Sequence, residues 1–233
     1  MGCWCACREI RGAASVFHVK HEHHPPAALS RRAALGVITW AVRASLCAPA
    51  FAIPEITPRD ASLAGQLLIA TPVMGDPHFA NTVILMVRHN KDGALGITIN
   101  RPIGERTLAA LMGAIGEDAS SIEGTIRVFA GGPVQSEVGF ILHDPAYRRI
   151  GTIDIDGRVA MTSSAQILRD IGQHAGPRHY LVAFGYAGWG PGQIEGELAQ
   201  RAWVTALEDP ALVFDADRAK VWDLATARAN RRL

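Results

Sequence analysis

Thr82-Val83-Ile84-Leu85-Met86-Val87, then Lys91-Asp92-Gly93, then Leu95-Gly96-Ile97-Thr98-Ile99-Asn100 ahead of Arg101-Pro102, is the stretch from which the fold is read. The first run is apolar and rich in β-branched residues, the mark of a buried strand. The second alternates large and small residues and stops where Pro102 withholds the amide that a further ladder bond needs. Between them, Asp92-Gly93 supplies the positive φ that a tight hairpin turn requires. Strands joined by so short a link run antiparallel, because parallel strands need a long crossover.

Outward from this hairpin the same signals recur. Residues 66–70, 125–129, 138–142, 151–155, 159–161 and 179–184 read as further short strands, with Asp156-Gly157 as a second hairpin turn. Leu108, Leu111, Met112 and Ile115 fall at the i, i+3, i+4, i+7 spacing of a surface helix over 107–115. Further helices are expected over 162–171, opened by Thr/Ser capping, over about 193–202, and over 215–230. Strands and helices mix without a βαβ rhythm. The expected fold is therefore one α+β domain over 63–233, a mostly antiparallel, barrel-like sheet packed with several helices.

Three segments suggest a binding surface. Gly185-Tyr186-Ala187-Gly188-Trp189-Gly190-Pro191-Gly192-Gln193 carries four glycines in eight residues just before a helix. Such a loop either lets the backbone approach a neighbour closely or offers amides to an anion at the helix N-terminus. Ala130-Gly131-Gly132-Pro133 follows a strand and can form a second amide nest, and Asn100-Arg101 ends the hairpin. If the three converge, Arg101 is the cation and the glycine amides are the floor of a concave polar site. The candidate ligand-binding residues are Asn100, Arg101, Gly131, Gly132, Gly185, Tyr186, Trp189, Gly192 and Gln193.

Together with Gly75-Asp76-Pro77-His78-Phe79, these motifs, in this order, resemble the YqgE/AlgH family of small bacterial proteins, over about residues 63–205. The resemblance implies a single α+β domain and an association with transcriptional control. It carries no catalytic assignment. It points to a non-enzymatic regulatory or binding module whose partner is a small anionic ligand or a protein, with a homodimer as a further expectation. The alternatives are a hydrolase or transferase that holds an anionic substrate on Arg101, and a structural protein that dimerises through a sheet edge.

Composition narrows the chemistry. All four cysteines (Cys3, Cys5, Cys7, Cys47) precede residue 52, so the domain has no disulfide, thiolate metal site or cysteine nucleophile. Of 23 Lys+Arg and 22 Asp+Glu, six and two lie in the first 52 residues, leaving 17 against 20 in the remainder. That slightly acidic balance lacks the basic stripe of a direct nucleic-acid binder. Ser163, Ser164, His143 and Asp144 offer the materials of a triad, but no serine sits in a Gly-x-Ser-x-Gly elbow. His78, His89 and His143 with Asp76 and Asp144 lack metal-ligand spacing. Phosphate-loop and dinucleotide fingerprints are absent, so neither cofactor nor metal is expected.

The first 52 residues read as an address. Arg31-Arg32 precedes an apolar run from Ala33 to Trp40, Arg43 interrupts it, and Ala50-Phe51-Ala52 has the small-x-small spacing of a signal-peptidase site. This describes a twin-arginine leader and a periplasmic protein. The competing account is a mis-assigned start upstream of a cytoplasmic protein. The run is too short and too interrupted to span a bilayer, and residues 53–62, with two prolines, read as a linker.

Overall fold

Leu67 and Ile69 face one apolar cluster while Leu68 and Ala70 face another, and all four are buried. A strand covered on both faces loses the alternation of a half-exposed strand, which is why the apolar runs of this chain are nearly continuous. The computed structural model describes residues 62–120 and 122–231. The expected leader (1–52) and the linker up to residue 61 lie outside the described residues.

Among the described residues, ten strands form one curled sheet. Its main path runs β10 (Trp203–Leu207), β1 (Gln66–Ala70), β2 (Val83–Asn90), β3 (Gly93–Thr98), β9 (Tyr180–Trp189), β6 (Val134–His143), β8 (Ala160–Thr162), β7 (Ile153–Asp154). A branch carries β4 (Pro102–Thr107) on β5 (Thr125–Ala130), and β5 joins β9. All these pairs are antiparallel except β5 with β9, where Val128 lies opposite Val182. The β2–β3 turn falls where expected: Asn90 pairs with Gly93, and the Asn90 side chain accepts from the Asp92 amide. β4 was not foreseen. It is exposed along its whole length, and Pro102, Glu105 and Arg106 mark it as a protected edge.

Helices cover the sheet. α4 (Val221–Asn230) buries Val221, Ala225 and Ala229 against the inner cluster. α3 (Gln193–Ala199) places Ile194 among Leu68, Ile84, Met86, Trp189 and Trp203. α1 (Leu108–Ala114) and α2 (Gln166–Gly172) cover Ile126, Val128, Ile141 and Val182. The result is the single-domain α+β architecture expected from the sequence.

β9 is the strand on which the two halves of the sheet join. On one side its first half pairs with β5 and its last residues with β3, while β6 follows the other side. The exchange of neighbours takes place at Gly185, whose φ is +73°. There Gly131 donates to the Phe184 carbonyl (2.7 Å) and accepts from the Thr98 amide (2.8 Å), so the end of β5 lies between β3 and β9. A Cβ on Gly131, Gly132 or Gly185 would lie less than 3.0 Å from backbone atoms of the facing segment. Backbone cannot step aside as a flexible side chain can. Gly185 to Trp189 is therefore strand, where the sequence also allowed a ligand-cradling loop.

The two ends of the curled sheet meet through side chains. Glu208, just past β10, is fully buried and its amide donates to Gly65 O (3.3 Å). Its carboxyl faces the β7–β8 loop, where Arg158 Nε is 2.7 Å from Glu208 Oε1 while directing its N–H to Asp156 Oδ2 (3.3 Å). Burial first, and then the Asp156 carboxylate, push the Glu208 carboxyl up to about 7 from its ordinary 4.5. Asp156 stays below the usual carboxylate range: burial opposes this, but the amides of Arg158 and Val159 and the Arg158 guanidinium stabilise its charge.

Two outcomes follow. In urea unfolding, Gly132→Ala and Gly185→Ala each lose upward of about 4 kcal/mol, the range of severe backbone clashes. Gly192→Ala, with φ +72° but nothing within 4 Å, loses about 1 kcal/mol. For Glu208 the folded state holds its proton more tightly than the unfolded chain. Its contribution is therefore intact below about pH 4.5 and declines as pH rises through about 7. Glu208→Gln removes that decline, which denaturant midpoints measured across this window report; an unchanged slope refutes the assignment.

Candidate functional site

The residues singled out by the sequence fall into two groups at opposite ends of β3. Asn100 and Arg101 lie beside Gly131, Gly132 and Gly185 at the strand crossing, where the Ala130 amide donates to Arg101 O (2.9 Å). Trp189 pairs with Ala94 near the other end. Six residues separate Ala94 from Asn100, or roughly 20 Å of extended chain. The first two segments converge with Gly185 and Tyr186; Trp189, Gly192 and Gln193 do not join them.

At the crossing, polar groups face inward. Asn100 Oδ1 accepts from the Val83 amide (3.0 Å) and Nδ2 donates to Asn81 O (2.9 Å). Arg101 donates through Nη2 to Ala80 O (2.8 Å) and Thr82 Oγ1 (2.9 Å), and through Nε to the same hydroxyl (3.1 Å). Two motifs far apart in sequence, the turn ending at Asn81 and the Asn100-Arg101 pair, thus lock each other. Arg101 remains half-buried. Tyr186 packs its ring edge-on against Phe140, with centroids 5.9 Å apart.

At the other end a single carboxylate organises the group. Glu197 Oε2 accepts from the indoles of Trp189 (3.0 Å) and Trp203 (2.8 Å), and Oε1 accepts from Gln193 Nε2 (2.9 Å). Gln193 Oε1 in turn accepts from the Gly190 amide (3.1 Å). Glu195 accepts from His89 Nε2 (2.7 Å), while His89 Nδ1 accepts from the Leu63 amide (3.1 Å), which fixes the proton on Nε2. The Glu195 carboxyl is held below its ordinary range by its own backbone amide and by His89.

His143 is fully buried, and burial pushes its pKa down. Its Nδ1 donates to Asp144 O (2.8 Å), leaving Nε2 to accept from Thr162 Oγ1 (2.9 Å), which is 2.8 Å from Thr152 Oγ1. A hydroxyl on a neutral imidazole has the chemistry of a nucleophile and base, but both side chains are sealed from solvent. Ser164 instead bonds the Gln166 amide (3.3 Å) at the start of α2. Among the described residues, no cluster of three His, Cys, Asp or Glu is placed to hold a metal ion.

One basic residue escaped the sequence reading. Arg218 is buried, and it lines a cavity of about 370 Å³ together with Arg127, Thr125, Tyr180, Phe129 and Phe214. In Asp215-Ala216-Asp217-Arg218 it reads as helix-surface charge, because nothing local signals that a strand end will close over it.

The fold and crossing define a class of small α+β proteins with a glycine-joined, curled sheet. The chain belongs to the AlgH-like family, whose model matches residues 67–233. A UPF0301 protein of Methylococcus capsulatus is 46% identical over 164 residues, covering 70% of this chain and 87% of the relative. A UPF0301 protein of Jannaschia is 43% identical over 176 residues, covering 75% and 90%. The solution structure of the AlgH protein from Pseudomonas aeruginosa is similar at 38% identity and a TM-score of 0.62, covering 72% of this chain and 89% of that one. A crystal structure of a Corynebacterium diphtheriae protein shares the fold at 22% identity and a TM-score of 0.53.

The Glu197 cluster yields a direct check. Glu197→Ala leaves two indole N–H groups without their shared acceptor, one on Trp203, which is 2% exposed. Unfolding free energy falls by about 2 kcal/mol, within the cost of orphaned buried donors, with a matching change in the near-ultraviolet circular dichroism of the tryptophans.

Proposed function

We propose that this AlgH-like chain is a non-enzymatic binding module with a regulatory role, recognising a small anionic ligand or a protein partner at the surface around Asn100, Arg101, Gly131, Gly132 and Gly185. The observation that carries this reading is the orientation of Arg101. Bonds to Ala80 and Thr82 hold its guanidinium in one position while the side chain stays half-buried at the surface. A charge presented by a rigid frame loses little entropy on binding, which favours recognition. The surrounding amides and the Asn100 side chain serve the frame itself. Trp189 ends β9, and Gly192 and Gln193 lie beyond it at the start of α3.

Direct nucleic-acid binding has no support in the charge balance of residues 53–233. With the twin-arginine leader in use, the module works in the periplasm; with a later start, it works in the cytoplasm. Among the described residues, no helix is long and apolar enough to cross a membrane.

A thermal-shift screen against small anions, read in parallel by mass spectrometry for new products, tests the assignment. The expected result is stabilisation without turnover, weakened at least about tenfold in Arg101→Lys, which keeps the charge but loses the fork. Product that accumulates catalytically, at a rate lowered in Arg101→Lys with an unaltered melting temperature, overturns it in favour of a hydrolase or transferase. The intact mass of the native protein by cell fraction decides the address: a species beginning at Ile53 in the periplasm establishes export.

A further inference from the structure

Arg218 is nine-tenths buried, and among the described residues no carboxylate is paired with it, an arrangement that costs free energy in a protein interior. Its Nε donates to Ala216 O (2.7 Å) and its Nη1 to Val213 O (2.9 Å) and Ile99 O (3.3 Å). Nη2 is buried with no acceptor among the described residues. Carbonyl dipoles orient this charge without neutralising it. Arg127 lies close enough to repel it, and burial depresses the Arg218 pKa further below its ordinary value than that repulsion does. Asp215 and Asp217, both exposed, also attract the charge, Asp215 more strongly than Arg127 repels it.

This charge sits in the wall of the 370 Å³ cavity, a volume typical of small-molecule sites. Phe129, Leu181 and Phe214 give that wall an apolar part, and Tyr180 and Thr125 bring hydroxyls. We infer that the cavity is a binding site for a small organic monocarboxylate, with Arg218 and Arg127 taking the carboxylate and Phe129, Leu181 and Phe214 its apolar body. The other charged residues of the cavity argue for a monoanion. Glu105 and Asp215 are exposed and repel a compact, multiply charged ion, whereas an apolar body passes between them at little electrostatic cost. Arginine suits the task because its planar fork matches a carboxylate in two parallel bonds. The longest of Arg218's three bonds, to Ile99 O, is the one a carboxylate most readily replaces.

The cavity does not include Arg101, so its occupancy and the reading of the crossing surface stand or fall separately. The test is a titration of the isotopically labelled full chain with phenylacetate, and separately with inorganic phosphate, followed by amide chemical shifts. Phenylacetate is expected to give saturable shifts at residues 125–129, Tyr180 and Phe214 to Arg218, with those near Arg101 unmoved. Because Arg218 also holds three carbonyls, Arg127→Ala is the primary variant. Its side chain is largely exposed and its nearest carboxylate, Glu105, is 4.0 Å away. That variant keeps the wild-type spectrum and weakens phenylacetate about tenfold or more, the scale of a lost charge-assisted hydrogen bond. The absence of saturable shifts up to about 10 mM, a ceiling set by weak millimolar affinity, overturns the inference. So do saturable shifts confined to the Arg101 surface, or cavity shifts with phosphate and none with phenylacetate.

Discussion

Three glycines, Gly131, Gly132 and Gly185, let the end of β5 lie between β3 and β9 closely enough that a single methyl group would collide with backbone. The rest of the molecule follows from that contact. Because β5 enters there, β9 can pair with β5 along its first half and β3 along its second, while β6 follows its other side. The parallel pairing of β5 with β9 is a consequence of the same insertion. The apolar clusters under α3 and under α1 and α2 both draw on β9, which contributes Ala187 and Trp189 to one and Val182 to the other. A closely packed interior tolerates no gap at such a junction.

Around this frame polar side chains are matched with care. Asn100 and Arg101 bond the segment at residues 80–83, Glu197 serves two tryptophans and Gln193, and His143 is held between a carbonyl and Thr162. Asp170 accepts from Tyr147, Arg149 and Gln166, which ties the loop after β6 to α2. Buried polar groups normally find partners in this way. Glu208 and Arg218 depart from the rule, and their positions are informative. Glu208 lies where the two ends of the sheet meet without a ladder between them, and Arg218 lies in the wall of a cavity. The first is accounted for by burial beside Asp156, which raises the pKa of its carboxyl; the second is the charge we assign to ligand binding.

Much of the fold was legible in the chain. The hairpin of β2 and β3, the strand at 66–70, the helix opened by Thr107 and the buried strand at 179–184 declare themselves through local apolar periodicity and turn residues. β4 did not, because Pro102, Glu105 and Arg106 are edge residues whose pairing depends on β5 rather than on their own pattern. β10 lies just beyond the helix expected over about 193–202 and is not signalled as a strand by the sequence reading; it takes its ladder from β1. The four-glycine segment was ambiguous for a better reason: glycines near a ligand and glycines near another strand are the same sequence.

What the sequence determined by itself is therefore the class of fold, the tight hairpin and the places where backbone must come close, since each rests on neighbours along the chain. Tertiary structure alone decided what approaches those glycines and which charges are buried. It separated Asn100 and Arg101 from Trp189 and Gln193, and it brought Ile99 against Arg218 from 119 residues away. Burial and charge pairing depend on elements more than a hundred residues apart, and no local pattern carries that distance.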